Sequence, residues 1–214
     1  MAAESNEKLM LNWFQIQTLK CLQEQQRTGV IEKSLLLKTV ETAICKCFER
    51  ISGAKNASII FDLDTHRLVL NFESADGSLQ KFAMDEMSDG YKNTLSMIGD
   101  IAYRMAVLNP MLGEKVLEET PGVILIDEID LHLHPQWQQT IISDLISIFP
   151  KIQFIVSSHA PTVINSVSRE RIRILDNGEI YIPAAQTYGR DANSILREVM
   201  KVSERPMRIT ELRM

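Results

Sequence analysis

Two adjacent carboxylates, Asp127 and Glu128, end an uninterrupted apolar run, Gly122-Val-Ile-Leu-Ile-Asp127. Such a run predicts a buried strand of a parallel sheet. Ligands of open α/β sheets bind beyond the carboxyl ends of these strands. Carboxylates placed there can divide the labour. One holds Mg²⁺, directly or through water, because hard cations take oxygen ligands. The next orients or deprotonates an attacking water. The plainer alternative is a solvated strand end with an acidic turn. His159 follows 32 residues after Asp127, in Val156-Ser-Ser-His-Ala-Pro161, just past a second apolar run, Gln153-Phe-Ile-Val-Ser157. Neighbouring parallel strands end on the same side, so His159 and Glu128 are expected to face one pocket. A neutral imidazole there can hydrogen-bond a γ-phosphate oxygen or hold the attacking water. A third piece, Met87-Ser-Asp-Gly-Tyr-Lys92, opens an amphipathic helix. Ser88 and Gly90 expose a hydroxyl and backbone N–H groups toward an anion. Alternatively, Ser88 or Asp89 only caps the first turn.

The rest of the chain must position these residues. Residues 6–52 read as helices: Leu9, Leu11, Trp13, Phe14, Ile16, Leu19 and Leu22 recur with helical spacing, and Gly29 interrupts them. A second run, through Leu35, Leu36, Leu37, Val40, Ile44 and Phe48, ends at Gly53 as at a C-cap. The period then changes to two. Strands are expected at 58–62, 67–73 and 79–84, with turns at 64–66 and 75–78, as an antiparallel meander. A helix over 89–108 carries Leu95, Ile98, Ala102, Met105 and Leu108 on one face, and Asn109-Pro110 stops it. One helix is expected from Pro135 to Phe149-Pro150, a terminal hairpin around Asp176-Asn-Gly178, and a last helix near 192–200.

At 214 residues, the chain is long enough for one domain with an appendage and a core of useful size. With 45% hydrophobic and 24% charged residues it has the balance of a globular protein, and a net charge of −5 excludes a basic nucleic-acid binder. Arg169, Arg171 and Arg173 form a local basic stretch, read as a solvated surface. Cys21, Cys45 and Cys47 fit no disulfide framework, and a C-x-C metal site would need two further ligands that the sequence does not supply. No apolar run reaches the roughly 18–20 residues that span a bilayer. No membrane association and a cytoplasmic location are expected.

The order of the chemical pieces carries a resemblance. A Ser-x-Gly helix start, an apolar strand ending Asp-Glu and a strand ending in His together resemble the ATP-binding-cassette ATPases, in the branch of the SMC, RecF and OLD-like AAA ATPases. Ser88-Asp-Gly-Tyr-Lys-Asn-Thr-Leu95 is similar to the signature motif, with Asp89 in place of the common first Gly. Val123-Ile-Leu-Ile-Asp-Glu-Ile-Asp130 is similar to Walker B. On that resemblance Asp127 serves the metal and Glu128 is the catalytic carboxylate. Leu131-His-Leu-His-Pro135 lies where the D-loop should be, with His134 at the position of the usual Asp, and His159 matches the switch histidine. The implied fold is an α/β, P-loop NTPase-type C-terminal lobe: a parallel sheet, flanking helices and a small antiparallel meander. The implied cofactors are ATP and Mg²⁺, with Ser88, Asp89, Gly90 and His134 as nucleotide-binding residues.

The other half of such a head is not in these residues. Nothing matches G-x-x-x-x-G-K-[ST]. Without the Lys that neutralises phosphate charge, the chain alone is expected to have weak or no ATPase activity, its phosphate-gripping N-terminal P-loop lobe coming from elsewhere. The boundaries read as a helical connecting region over 1–55, the lobe over 56–185 and a helical tail over 186–214. The tail, Gln186-Thr-Tyr-Gly-Arg-Asp-Ala-Asn-Ser-Ile-Leu196 with Glu204-Arg-Pro206, resembles the ATPases of bacterial anti-phage systems, PtuA-like and retron-associated. That implies self-association through the heads around ATP and an HNH-type nuclease partner, with nucleic acid left open. Two other readings stand beside it. The chain could be a non-hydrolysing, ATPase-like module that binds a partner protein. It could instead be a metal-dependent hydrolase using Asp127, Glu128, His132 and His134.

Overall fold

The computed structural model describes residues 2–30, 32–131 and 133–200. The chain divides into two compact units, Met1–Ile124 with Asp144–Phe154, and Leu125–Ser143 with Ile155–Met214. Helix α1 spans Ala2–Thr28 and α2 spans Leu35–Ser52. Ser34 starts α2 by accepting the Leu37 N–H at 3.2 Å. Gly53 ends it in the left-handed region at φ 73°, its N–H bonded to the Glu49 carbonyl, as a C-cap glycine should. Strands β1 (Lys55–Asp62), β2 (Arg67–Glu73) and β3 (Leu79–Ala83) form the expected antiparallel meander in the order β1-β2-β3. β1 starts three residues earlier than its apolar pattern suggested. The register shifts between Lys55 and Ser58, where Asn56 takes φ 53°, a left-handed turn that Asn tolerates.

Helix α3 runs Asp89–Leu108, with the expected bounds. α2 packs on α3 and on β1, and α1 on α3. The buried face of α2 is Leu37, Val40, Ile44 and Phe48; that of α3 is Leu95, Ile98, Ala102 and Met105. Burial of each large side chain is worth about 1.5–3 kcal/mol, so these two helical faces and the inner side of the meander carry much of this unit's stability. At Gly99 the helices come close: a Cβ there would lie 3.2 Å from Ile44 Cδ1. Leu108 departs from expectation: it is 74% exposed, at the last residue of the helix. Leu9, Ile16, Leu19 and Leu22 of α1 are also exposed, so most of that helix's apolar spacing does not mark a core face. Arg50 of α2 donates from Nε to Asp144 Oδ1 at 2.6 Å; Asp144 is 3% exposed and its Oδ2 has no hydrogen-bond partner among the described residues. All three cysteines are free. Burial pushes the Cys45 and Cys47 thiols up to about 12.

A short helix, α4 (Val116–Glu119), precedes β4 (Gly122–Ile126). Beyond β4 come α5 (Pro135–Gln138), α6 (Ile141–Ile148) and β5 (Ile152–Val156). The single helix expected from Pro135 to Phe149 is thus two, broken at Gln139–Thr140. Hydroxyls compete with the helix there: Ser143 Oγ donates to the Thr140 carbonyl at 2.7 Å and Thr140 Oγ1 to the Trp137 carbonyl. β4 and β5 pair in parallel: Ser157 N–H donates to the Ile126 carbonyl, while the Ser157 carbonyl accepts from a different residue, Ile129. The pair is not buried on both faces, as the apolar runs suggested. Val123 and Leu125 are 56% and 77% exposed, and Ile155 is 51% exposed. Next come α7 (Pro161–Ile164), the hairpin β6 (Ile174–Asp176) and β7 (Glu179–Tyr181), and α8 (Ala192–Glu198), which packs on α7. Among the described residues no helix is long and apolar enough to cross a membrane. The tail motif Glu204-Arg-Pro206 lies outside the described residues.

Candidate functional site

The acidic pair sits on the turn that leaves β4. Asp127 and Glu128 are both exposed, and Glu128 has φ 49°. A left-handed non-glycine residue costs on the order of 1–3 kcal/mol and needs its surroundings to hold it. Ser157, the residue just beyond β5, supplies the hold. Its Oγ donates to Asp127 Oδ1 and accepts the Glu128 N–H at 2.8 Å. Its backbone N–H reaches the Ile126 carbonyl at 2.9 Å, and its carbonyl accepts the Ile129 N–H at 3.1 Å. Four bonds at about 0.5–1.5 kcal/mol each suffice to offset the left-handed turn. In the sequence His159 stands out by its residue type and Ser157 does not. Its only signal is a hydroxyl residue at a strand tip beside an acidic strand tip.

His159 lies two residues beyond Ser157 and is exposed. Its loop is kept in shape by Ser158 Oγ, which accepts the Ala160 N–H at 3.0 Å. Strand pairing therefore brings the ends that carry Asp127, Glu128 and His159 together in the second unit. A further bridge ties the two loops. Gln138 Nε2 donates to the carbonyls of Asp130 and Leu133, at 3.4 and 3.2 Å, and its Oε1 accepts from Thr162 Oγ1. The side-chain amide is used on both ends, so its orientation is consistent with the network. Asp130 Oδ1 is buried and without a hydrogen-bond partner among the described residues.

His134 takes the N-cap position of α5, where its Nδ1 accepts the Gln136 N–H at 3.3 Å. One ring nitrogen is thus committed to the turn, leaving the other for a ligand. His132 lies outside the described residues. Among the described residues no group of three or more His, Cys, Asp or Glu could hold a metal by itself, so nothing there supports a metal cage built from His side chains. The donor set does fit one magnesium ion. Asp127 Oδ2 and the Glu128 carboxylate have no hydrogen-bond partner among the described residues, and Mg²⁺ is commonly held by one or two carboxylates plus waters.

The signature-like segment belongs to the first unit. Ser88 is the N-cap of α3, with extended backbone (φ −63°, ψ 155°), yet its hydroxyl makes no capping bond. Asp89 is mostly exposed and pairs with Lys92 at 3.0 Å, while Gly90 is buried and its carbonyl accepts from Thr94 Oγ1 at 2.8 Å. The simple capping reading of Ser88 therefore fails on its own geometry. The helix start leaves a hydroxyl and first-turn N–H groups for an anion.

Residues 44–165 match the family described as "AAA domain, putative AbiEii toxin, Type IV TA system". The chain belongs to this family of AAA domains. Similar curated relatives point the same way. The Retron Vc95 probable ATPase of Vibrio cholerae serotype O1 biovar El Tor is 41% identical over 125 residues, 56% of this chain and 24% of the relative. The Retron Ec83 probable ATPase of Escherichia coli is 34% identical over 189 residues, 88% of this chain and 33% of the relative. A Septu protein PtuA of Bacillus thuringiensis is 26% identical over 90% of the chain and 48% of its own length. The chain thus spans a quarter to a half of the length of these relatives. A solved SMC ATPase structure aligns over 78% of the chain at 17% identity with a TM-score of 0.47, a likeness too weak to carry an argument.

Proposed function

We propose that this chain is the carboxylate-bearing part of an ATP-hydrolysing head that works in bacterial anti-phage defence. One observation carries the reading: Asp127 and Glu128, clamped by Ser157, stand at paired parallel strand ends with His159 on the adjoining loop. Family membership and the retron and Septu relatives support the ATPase class and the defence setting.

On this reading Asp127 supplies a carboxylate oxygen for Mg²⁺, which when bound neutralises charge on the phosphates. Glu128 orients the attacking water and takes its proton. His159 donates from its ring to the γ-phosphate or fixes that water. Ser88, Asp89 and Gly90 at the start of α3 take the nucleotide of a second head, His134 also binds nucleotide, and ATP acts as the ligand between two self-associating heads. The exposed apolar residues of the strand pair, Leu125 and Ile155 among them, are covered by the N-terminal P-loop lobe. Residues 1–55 connect the lobes, 56–185 form the catalytic lobe and 186–214 the tail. The complete protein works in the cytoplasm with an HNH-type nuclease, and nucleic acid is that partner's substrate.

A second reading keeps some support. The exposed strand face and the lack of a Walker A sequence in these residues suit a non-hydrolysing module that binds a partner protein. ATP binding and turnover, measured for the 214-residue chain and for the same chain joined to a P-loop lobe, separate the two. The ATPase reading expects turnover only in the joined protein. Tight partner binding with no nucleotide dependence in either form favours the module.

A further inference from the structure

In a regular parallel ladder, one residue bonds through its N–H and its carbonyl to residues two apart on the neighbouring strand. Ser157 instead bonds to Ile126 and Ile129, three apart. The ladder skips Glu128, which turns into the left-handed region at φ 49°. Its N–H, displaced from the ladder, is taken by the Ser157 hydroxyl, and the same hydroxyl donates to Asp127. One residue therefore holds four consecutive ones, Ile126 to Ile129, and uses its hydroxyl on the two carboxylate-bearing positions.

We infer that Ser157 is the positioning residue of the acidic pair. Its hydroxyl fixes the rotamer of Asp127 and keeps Glu128 in the left-handed turn that aims its carboxylate. The inference rests on the ATPase reading above for its consequence in turnover, but not for its geometry. Ser157 itself touches no reacting atom. Its loss frees a backbone N–H and a carboxylate that must then find water, and lets Glu128 relax toward the right-handed region. Groups that orient catalytic ligands from behind typically cost 10–100-fold when removed. Thr keeps the hydroxyl and Ala does not, so the two substitutions separate a hydrogen-bond role from a packing role. Ser157 is exposed, so its truncation leaves no cavity.

The test uses the complete head, this chain with its P-loop lobe, in steady-state ATP hydrolysis. Ser157→Ala should lower kcat by about 10–100-fold, leave KM for ATP near its wild-type value and raise the Mg²⁺ concentration needed for half-maximal rate. Ser157→Thr should restore kcat to near wild type. Wild-type kcat and Mg²⁺ dependence in Ser157→Ala would overturn the inference, as would equal damage from Ala and Thr. If the wild-type head itself does not turn over ATP, the ATPase reading fails, and amide exchange in the 214-residue chain decides the inference alone. Faster exchange at Glu128 and Ile129 in Ser157→Ala, with β1–β3 unchanged, supports it. Unchanged exchange overturns it.

Discussion

Ser88 and Ser157 stand at the ends of elements, on segments expected to serve phosphate chemistry, and they differ in one respect. The Ser157 hydroxyl is used twice, as donor to Asp127 and acceptor from Glu128. The Ser88 hydroxyl occupies a cap position and makes no cap bond. Ser34 sharpens the contrast: it caps α2 with a bond to the Leu37 N–H at 3.2 Å. A committed hydroxyl maintains the fold around it, and an uncommitted one at a helix start is available to a ligand. The chain thus carries two kinds of hydroxyl at element ends, those already satisfied within the chain and those left open.

That distinction can be broken at several points, from large effect to small. His159, on the open side, should matter to turnover and not to folding: in the complete head His159→Ala should cut kcat by about 100-fold with an unchanged melting temperature. A drop in stability instead would move His159 to the committed class. The Arg50–Asp144 pair is the committed extreme, with Asp144 only 3% exposed. Arg50→Ala leaves that carboxylate without its partner. It should destabilise the chain by about 2–3 kcal/mol in urea unfolding, less than a fully buried broken pair costs because Arg50 is partly solvated. Ser34→Ala should cost about 1 kcal/mol, as lost caps do. Ser88→Ala should cost under about 0.5 kcal/mol yet weaken ATP-driven head association. Equal costs at Ser34 and Ser88 would erase the contrast.

A pH dependence arises separately, from two buried thiols. The Cys45 and Cys47 thiols, pushed up to about 12 by burial, from an ordinary value of 9.0, are neutral at pH 8. Both should resist a thiol reagent in the native chain. Because the folded values are raised, the stabilisation is whole below about pH 9. It is lost as pH climbs toward 12, where the unfolded chain ionises first. A urea midpoint that stays flat from pH 9 to 11 would contradict this.

Local pattern made much of this architecture legible. β2 and α3 fall on their expected residues because alternation and helical spacing there are bounded by clear turns, Asp64-Thr-His66 and Asn109-Pro110. The break at Gln139–Thr140 was not legible, since no glycine or proline marks it and it arises from hydroxyl bonds of Thr140 and Ser143. Nor was the exposure of Val123, Leu125 and Ile155. An apolar run says that a strand shuns water, not that the same chain supplies both covers. Asp127, Glu128 and His159 stand out as candidates from residue type and strand-end position alone. Ser157 does not, because its role depends on a ladder that skips Glu128, a feature of two strands together.

On the proposed function, Glu128 is the carboxylate that activates water for ATP hydrolysis. Single-turnover hydrolysis of ATP by the complete head carrying Glu128→Gln tests it most directly. Glutamine keeps the shape and backbone turn but cannot take a proton. ATP should bind as in the wild type, the cleavage step should slow by roughly 100–10,000-fold, and the heads should stay associated. Cleavage at the wild-type rate would contradict it.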